Sequence, residues 1–200
     1  MPVKMFVVLG YYITDTLSQR IRIMTQHARL SKTTPFEASS SIKTELGYMR
    51  ALCSPRGVAQ LVWQQQPFSA TDDQESDVSR ETIAQLSDYL AGQLTKFTIP
   101  LDFSSRSSAA QRWLEVMNDI PYGRTISYAD YAALWGNRKA SRAAGLACQQ
   151  NLLPIILPCH RIVQSSGGYD NYSGGNKTNP RDPNNIKRKQ WLIKDRKSVV

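Results

Sequence analysis

An apolar run that ends in a cysteine constrains the fold of this 200-residue chain more than any other stretch. Residues 152 to 157 are apolar and include Pro154, and Pro158 precedes Cys159. Proline fixes φ and restricts the residue before it, so the run is predicted to be a stiff, extended and buried strand. Cys159 is then expected at the turn beyond this strand, presented rather than packed.

The dipeptide Cys159-His160 predicts a nucleophile with a base beside it. A thiol is a good nucleophile only as thiolate, and at an unperturbed pKa of about 8.5 roughly 3 % is ionised at neutral pH. His160, one of two histidines in the chain, is placed to take the proton, directly or through a water. A lone cysteine is more often a core residue, so the dipeptide alone leaves both readings open.

Three features surround Cys159 at fixed spacings. Asn151 stands eight residues before it, Pro158 to Arg161 reads Pro-Cys-His-Arg, and residues 171 to 175 read Asn-Tyr-Ser-Gly-Gly. In residues and spacing this segment closely resembles the active-site segment of the O6-alkylguanine-DNA alkyltransferases. The resemblance covers about residues 43 to 193 and is strongest from Trp113 to Gly175.

Two short helices with a glycine-containing turn between them are predicted ahead of this segment. Ser127 is a good N-cap, and Asp130 three residues later completes a capping-box pattern for a helix that reaches Trp135. Residues 136 to 138 make a turn, and residues 139 to 149 form a second helix of mostly small residues. This is the signature of a helix-turn-helix, although many helix pairs never touch DNA.

The earlier part of the chain alternates strand and helix patterns. Residues 46 to 53 and 58 to 63 predict a β-hairpin around a Pro-Gly turn. Apolar residues at three- and four-residue steps predict helices over 79 to 94 and 109 to 117. Apolar residues at alternate positions over 97 to 103 predict a half-buried strand. Pro100 within it predicts that this is an edge strand or that the strand ends there. Residues 31 to 41 are predicted to be a loop, and 6 to 9 and 21 to 24 to be strands.

These patterns predict an α/β (α+β) protein of two domains. Residues 1–104 form a small N-terminal α/β supporting domain, and residues 105–200 a mostly helical C-terminal domain with the helix-turn-helix and Cys159. The boundary falls at the serine-rich stretch 104 to 108. The resemblance implies a ribonuclease H-like shape for the first domain, and residues 1–42 match the family poorly.

The net charge of the chain indicates what kind of partner it binds, and the number and spacing of its cysteines indicate the redox state of its compartment. A net charge of +9 and a pI of about 9.6 favour a polyanion such as nucleic acid, although many basic proteins bind none. Three scattered cysteines argue against a disulfide framework and a structural zinc site, so a reducing, cytoplasmic location is expected. Only His27 and Cys53 are candidate metal ligands in the N-terminal half, so no metal is expected. Residues 5 to 13 are too short to span a membrane, and no membrane association is expected.

The resemblance implies a reaction as well as a fold. It implies direct repair of O6-alkylguanine in double-stranded DNA by a monomeric, single-turnover methyltransferase that needs no cofactor. The damaged base is flipped out, and Cys159 accepts the alkyl group irreversibly. His160 is implied as the base, and Asn151 as the hinge between the DNA-binding helix and the active-site turn.

The resemblance also implies roles for two groups of residues. It implies that the second helix lies in the minor groove of DNA and that the Arg142 side chain fills the gap left by the flipped base. The implied DNA-binding residues are Tyr128, Ala140, Ser141, Arg142 and Ala143. Those implied to contact the base or its alkyl group are Tyr128, Pro154, Ile162, Tyr172, Ser173 and Gly174.

The sequence departs from the family near its C-terminus. The family orients its histidine with a glutamate, but no glutamate follows Cys159 here, and Asp195 is the candidate substitute. About ten additional residues, 176 to 186, precede the last predicted helix and are expected beside the substrate pocket. Residues 187 to 189, Lys-Arg-Lys, are expected to form a solvated helix face, with contact to DNA phosphates as the alternative.

Two other functions compete with alkyl transfer to Cys159. One is a non-catalytic protein that binds O6-alkylguanine and signals to another repair pathway, but relatives of that kind replace the cysteine. The other is a cysteine hydrolase, which is disfavoured because the chain carries no oxyanion-hole signature and the helix-turn-helix would be unexplained.

Overall fold

The computed structural model describes residues 36–69, 73–169, 171–174 and 179–194. The strands predicted at 6 to 9 and 21 to 24 lie outside these residues, and the boundary near residue 104 stays a prediction. The described elements, in chain order, are β1 Ala38–Thr44, β2 Gly47–Ser54, β3 Gly57–Gln64, α1 Asp77–Leu90, α2 Ser108–Asn118, β4 Ile126–Ser127, α3 Tyr128–Trp135, α4 Ser141–Gln149, a 3-10 turn Cys159–Arg161, β5 Ile162–Val163 and α5 Pro183–Lys194.

A three-stranded antiparallel sheet, ordered β1-β2-β3, opens the described chain. The predicted hairpin is confirmed as β2 and β3. Gly57 at its turn has φ +147, and a Cβ there would lie 2.4 Å from the carbonyl oxygen of Pro100, so only glycine fits.

The prediction of a loop up to residue 41 is wrong, because residues 38 to 41 belong to β1. The buried Ser40 fits this strand because its hydroxyl lies 2.8 Å from that of Ser79.

Two predicted elements of the N-terminal part end differently in the structure. Helix α1 stops at Leu90 rather than at residue 94, because Gly92 adopts a left-handed φ of 78 just beyond it. The strand predicted over 97 to 103 is wrong, since only Leu101 makes an isolated bridge, to Val58. Pro100 has no N–H to continue a ladder, although its carbonyl accepts from the Val58 N–H at 2.9 Å.

Asp102 fastens this bridged segment to the hairpin turn. Its buried carboxylate accepts hydrogen bonds from the Ser54 hydroxyl and, at 2.9 Å, from the Ser104 N–H. Burial alone would raise the pKa of Asp102, but the bonds from Ser104 and Ser54 outweigh it and lower that pKa to about 2. Since the unfolded pKa is about 3.9, the ionised carboxylate stabilises the fold above that pH.

Asp102→Asn is therefore expected to lower the free energy of unfolding by about 2 kcal/mol at pH 7. This contribution is present above about pH 4 and is lost as the pH falls toward about 2, so the variant should show a flatter pH dependence over that range. Urea unfolding at several pH values measures both effects. The same change at the exposed Asp88 is the control and should alter stability by less than about 0.5 kcal/mol. Equal losses for the two variants would contradict this account.

The predicted helix-turn-helix is confirmed in the C-terminal part. The Ser127 side chain accepts from the Asp130 N–H at the start of α3, and Gly136 ends the helix with a left-handed φ of 118. Helix α4 begins at Ser141, two residues later than predicted, because residues 138 and 139 are still in the turn. Helix α2 is confirmed over Ser108–Asn118.

One continuous apolar core joins the sheet to these helices and to the run before Cys159. Trp113 of α2 stacks on Trp135 of α3 with ring centroids 4.9 Å apart, and the Tyr131 hydroxyl donates to the Trp113 carbonyl at 2.6 Å. The short parallel pair β4-β5 then sets the start of α3 beside the chain that follows Cys159. No helix in the described ranges is long and apolar enough to cross a membrane.

Candidate active site and nucleic-acid interface

The run before Cys159 is a buried turn, so the prediction of an extended strand is wrong. The Leu157 N–H donates to the Leu153 carbonyl at 2.8 Å, which folds the chain back on itself. Ile155 has a φ of 73, a left-handed conformation that costs a β-branched residue on the order of 1–3 kcal/mol. The two prolines, 154 and 158, flank this bend rather than extend it.

Asn151 holds the bend together from within. It is 2 % exposed, and its amide nitrogen donates to the Leu157 carbonyl at 3.1 Å and contacts the Cys159 sulfur at 3.2 Å. Its amide oxygen accepts from the Leu153 N–H at 2.8 Å. One side chain thus connects the end of α4 to the turn and to the thiol, which supports the hinge role predicted for it.

Cys159 begins the 3-10 turn Cys159–Arg161 and is 5 % exposed. It is more packed than the sequence predicted, although its side chain lines a cavity. Burial raises the pKa of the thiol, whereas the Asn151 side chain and the positive charge of Lys189 lower it. The thiol therefore depends on these neighbours to reach the thiolate form.

The cavity has a volume of about 390 Å³ and collects residues from α3, α4 and the loops that follow Cys159. Five of the predicted site residues line it, namely Tyr128, Ser141, Cys159, Tyr172 and Ser173. Pro154, Ile162 and Gly174 are not among its lining residues. Pro180, from the stretch expected beside the pocket, does line it, and its carbonyl accepts from the Tyr172 N–H at 2.9 Å.

The hydroxyl of Tyr172 is a buried donor that no described residue satisfies. Burial raises the pKa of Tyr172, and the neighbouring Cys159 raises it further, so the hydroxyl stays protonated. Leaving such a group unpaired costs about 1–3 kcal/mol. Gly174 gives the ring its room, because a Cβ there would lie 3.1 Å from the Tyr172 ring.

The start of α4 adjoins the mouth of this cavity. Arg142 and Ala143 are exposed, whereas Ala140 and Ser141 are half-buried. Tyr128 begins α3 across the cavity, and burial, with smaller effects of two nearby thiols, raises its pKa, so it too stays protonated. Of the residues predicted to contact DNA, Tyr128 and Ser141 line the cavity, and Ala140, Arg142 and Ala143 are next to Ser141 in the chain.

Two of the three basic residues at 187 to 189 are buried, so the expectation of a solvated face is wrong for them. Lys189 is 1 % exposed, and its ammonium donates to the carbonyls of Ile162 at 2.7 Å and Asn171 at 3.2 Å. Arg188 lies over the Trp63 ring at 4.5 Å. Sequence reasoning missed Lys189, although its place three residues before the buried Leu192 put it on the inward helix face.

His160 is fully buried and faces the N-terminal part of the chain. Its Nε2 lies 3.4 Å from the hydroxyl oxygen of Tyr89 on α1, a residue that the sequence reasoning did not select for the site. Asp195, the predicted substitute for the family glutamate, lies outside the described residues. Among the residues that the structure describes, no cluster of histidine, cysteine, aspartate or glutamate is suited to hold a metal ion.

Comparison with known sequences gives consistent matches. The sequence profile for the 6-O-methylguanine DNA methyltransferase, DNA binding domain, matches residues 108–197. The methylated-DNA–protein-cysteine methyltransferase of Mycobacterium leprae is 41% identical over 101 residues, which are 50% of this chain and 61% of that protein. The constitutive enzyme of that name from Bacillus subtilis is 38% identical over 104 residues, 52% of this chain and 62% of that protein. The match thus spans about three fifths of these curated relatives.

Solved structures match over a longer stretch. The crystal structure of Mycobacterium tuberculosis O6-methylguanine methyltransferase superposes with a TM-score of 0.66 and 30% identity, covering 82% of this chain and 94% of that one. The structure of M. tuberculosis OGT in complex with DNA gives a TM-score of 0.64 and 29% identity, covering 80% and 92%. The predicted mixed α/β fold is confirmed by these likenesses.

Proposed function

Because this chain belongs to the O6-methylguanine-DNA methyltransferase family, we propose that it repairs O6-alkylguanine in double-stranded DNA by moving the alkyl group onto Cys159. The observation that carries the proposal is one cavity lined by both Cys159 and Tyr172, beside the exposed start of α4. Such a cavity offers a nucleophile and a hydrogen-bond donor to a single flipped base.

The proposed step is an in-line displacement that needs no cofactor. His160 takes the proton of the Cys159 thiol, directly or through a water, and the thiolate attacks the carbon attached to O6. A carbon–sulfur bond forms, the carbon–oxygen bond breaks, and its electron pair stays on guanine. Guanine then takes up one proton at N1 and His160 releases the one that it took, so that the thiol and alkylguanine become a thioether and guanine.

Residues of the cavity are proposed to hold the departing base. Tyr172 and Ser173 donate hydrogen bonds to it, and charge developing on guanine strengthens them. Ile162 does not line the cavity; its backbone carbonyl is proposed to accept from the exocyclic amine of guanine, and that oxygen already accepts from Lys189. A carbonyl oxygen has two lone pairs, so both contacts are compatible. Pro154 is buried away from the lining and acts in this proposal through the shape of the turn.

Base flipping is proposed to depend on Arg142. The net charge of +9 supplies general attraction to phosphates, and the small residues around Arg142 let α4 approach the duplex. A guanidinium that stacks in the gap offsets part of the unstacking cost of a few kcal/mol.

Arg142→Ala is expected to weaken binding of duplex DNA containing O6-methylguanine and to slow its repair by about 10- to 100-fold each. Repair of the same oligonucleotide as a single strand should change little, because no partner base has to be replaced. Arg80→Ala, which removes an exposed charge from α1, is the matched control and should change duplex repair by less than about threefold. Equal effects on both strand forms would remove Arg142 from the flipping role.

The proposal also predicts that each molecule acts once, because a thioether is not hydrolysed under ordinary conditions. A fixed amount of protein is mixed with excess duplex, the DNA is digested, and O6-methylguanine and guanine nucleosides are quantified. We expect one lesion repaired per protein molecule, without further repair on longer incubation. Tight lesion binding with no repair would instead assign the chain to the non-catalytic lesion-binding function.

A further inference from the structure

One wall of the cavity comes from the additional stretch 176 to 186, which the proposed reaction does not use. Pro180 is the only described residue beyond Ser173 that lines the cavity, and it is half-buried there. The other lining residues belong to α3, to α4 and to the chain from Cys159 to Ser173. Pro180 therefore brings a distinct segment of the chain against the space in front of the thiol.

A β-turn over residues 179 to 182 holds Pro180 in place. The Asp182 N–H donates to the Asn179 carbonyl at 3.0 Å, and the Arg181 N–H donates to the Asn179 Oδ1 at 3.0 Å. Asparagine at the first position and proline at the second are residues that such a turn favours. The Asp182 side chain then accepts from the Asn184 N–H at 2.8 Å, so the turn is fastened to the start of α5.

Pro180 is also joined to the part of the cavity that is proposed to hold the base. Its carbonyl accepts from the Tyr172 N–H at 2.9 Å, and Tyr172 lines the same cavity as Cys159. The proline ring fixes its own φ and has no side-chain rotamers through which it could swing aside. Pro180 is thus a rigid wall beside Tyr172 that cannot move away to admit a larger ligand.

The volume of the cavity limits what it can hold together with a base. An engineered apolar cavity of about 150 Å³ in another protein holds benzene, which is about 25 Å³ for each non-hydrogen atom. On that scale the 390 Å³ of this cavity hold about fifteen such atoms, and guanine takes about eleven of them. Room for about four carbon atoms remains for the alkyl group.

We propose that Pro180 is a specificity-determining residue that limits the O6-alkyl groups transferred to Cys159 to about four carbon atoms. This inference rests on the proposed function, because it concerns the alkyl group of the same lesion. Alanine at position 180 lacks two of the ring carbons, which on the same scale adds about 50 Å³. The widened cavity should then admit about two more carbon atoms.

The test compares the single-turnover transfer rates for duplexes that contain O6-propylguanine and O6-hexylguanine. Both lesions present a primary carbon to the thiol, so they differ in size rather than in intrinsic reactivity. In the full-length wild type the propyl group should be transferred at least about tenfold faster, the effect of a misfit in an apolar pocket. In Pro180→Ala the two rates should lie within about threefold of each other. An unchanged ratio in this variant overturns the proposal.

Two further variants separate the size of the side chain from the stability of the turn. Pro180→Val has as many side-chain carbons as proline and should keep the wild-type preference for propyl. Pro183→Ala makes the alanine change at an exposed proline that does not line the cavity, and it should also keep that preference. Loss of the preference in either variant overturns the proposal, because the turn and not the wall would then set the ratio.

A binding measurement separates failure of this inference from failure of the proposed function. Affinities for the two duplexes are measured by fluorescence anisotropy in Cys159→Ala and in the double variant Cys159→Ala, Pro180→Ala. The first protein should bind the propyl duplex at least about tenfold more tightly, and the second should bind both about equally. The same affinity ratio in both proteins overturns the inference. Absence of methyl transfer in the wild type overturns the proposed function, and the affinity ratios still decide whether Pro180 limits the cavity.

Discussion

Cys159→Ala is expected to abolish alkyl transfer to the protein. The variant should still bind duplex DNA containing O6-methylguanine. The substitution removes the nucleophile, and no other group can form the same bond at that position. The thiol is small and buried, so affinity should stay within about threefold of wild type, a change of less than about 1 kcal/mol. Transfer is followed with a radiolabelled methyl group, and affinity by fluorescence anisotropy.

Cys148→Ala is the control, because Cys148 is the other thiol that lines the cavity. Burial raises the pKa of Cys148, and the nearby Cys159 raises it further. Only Cys159 has the Asn151 amide against its sulfur, at 3.2 Å. Cys148→Ala should therefore still accept methyl groups at Cys159. Transfer that survives in Cys159→Ala and vanishes in Cys148→Ala would move the acceptor to residue 148.

Asn151→Ala is expected to have the second-largest effect, on stability and on the reaction. The change leaves the Leu153 N–H and the Leu157 carbonyl buried without their side-chain partner. The unsatisfied Leu153 N–H costs about 1–3 kcal/mol, and the lost bond to the Leu157 carbonyl, which still accepts from the Cys159 N–H, costs about 0.5–1.5 kcal/mol. The free energy of unfolding should therefore fall by about 2–4 kcal/mol. Urea unfolding measures this loss.

The same substitution should slow transfer at least about tenfold at neutral pH. The Asn151 amide lowers the pKa of Cys159 against the effect of burial. Without the amide the pKa rises, so the thiolate fraction falls at a given pH, by tenfold for each unit. The pH–rate profile should therefore shift to higher pH.

Gln85→Ala separates these two effects. Gln85 is also buried, and its side chain makes three hydrogen bonds, to Glu81 and Thr98, but none of these reaches the turn before Cys159. It should lose comparable stability and keep the wild-type pH–rate profile. A profile shifted equally in both variants would show that lost stability, and not the thiol contact, slows transfer.

Local sequence signals predicted the elements that local forces decide. The Ser127–Asp130 capping box and Gly136 mark both ends of α3, and glycine at position 57 marks the hairpin turn. The runs at 97 to 103 and 152 to 157 were predicted wrongly as strands. The apolar residues in these runs indicate that the segments are buried. Whether a buried segment pairs as a strand depends on residues distant in the sequence, such as Val58.

The residues of the candidate site also fall into those that the sequence identified and those that only the structure revealed. The family resemblance selected Tyr128, Cys159 and Tyr172 by number, and the fold places all three in one cavity. Lys189 and Tyr89 contact the chain around Cys159 across the fold. The Lys189 ammonium donates to the Ile162 carbonyl 27 positions away, and the Tyr89 hydroxyl lies 3.4 Å from His160 Nε2, 71 positions away. No spacing rule connects residues so far apart, so only the folded arrangement reveals them.

The most direct test of the account is the mass of the protein after it is mixed with a duplex containing O6-methylguanine. Intact mass is measured first, and the protein is then digested to locate any change. Alkyl transfer to Cys159 predicts a gain of one methylene, CH₂, on the peptide that contains Cys159, and no gain with the same duplex containing guanine. An unchanged mass despite tight lesion binding, or a methylene on any other peptide, would contradict it.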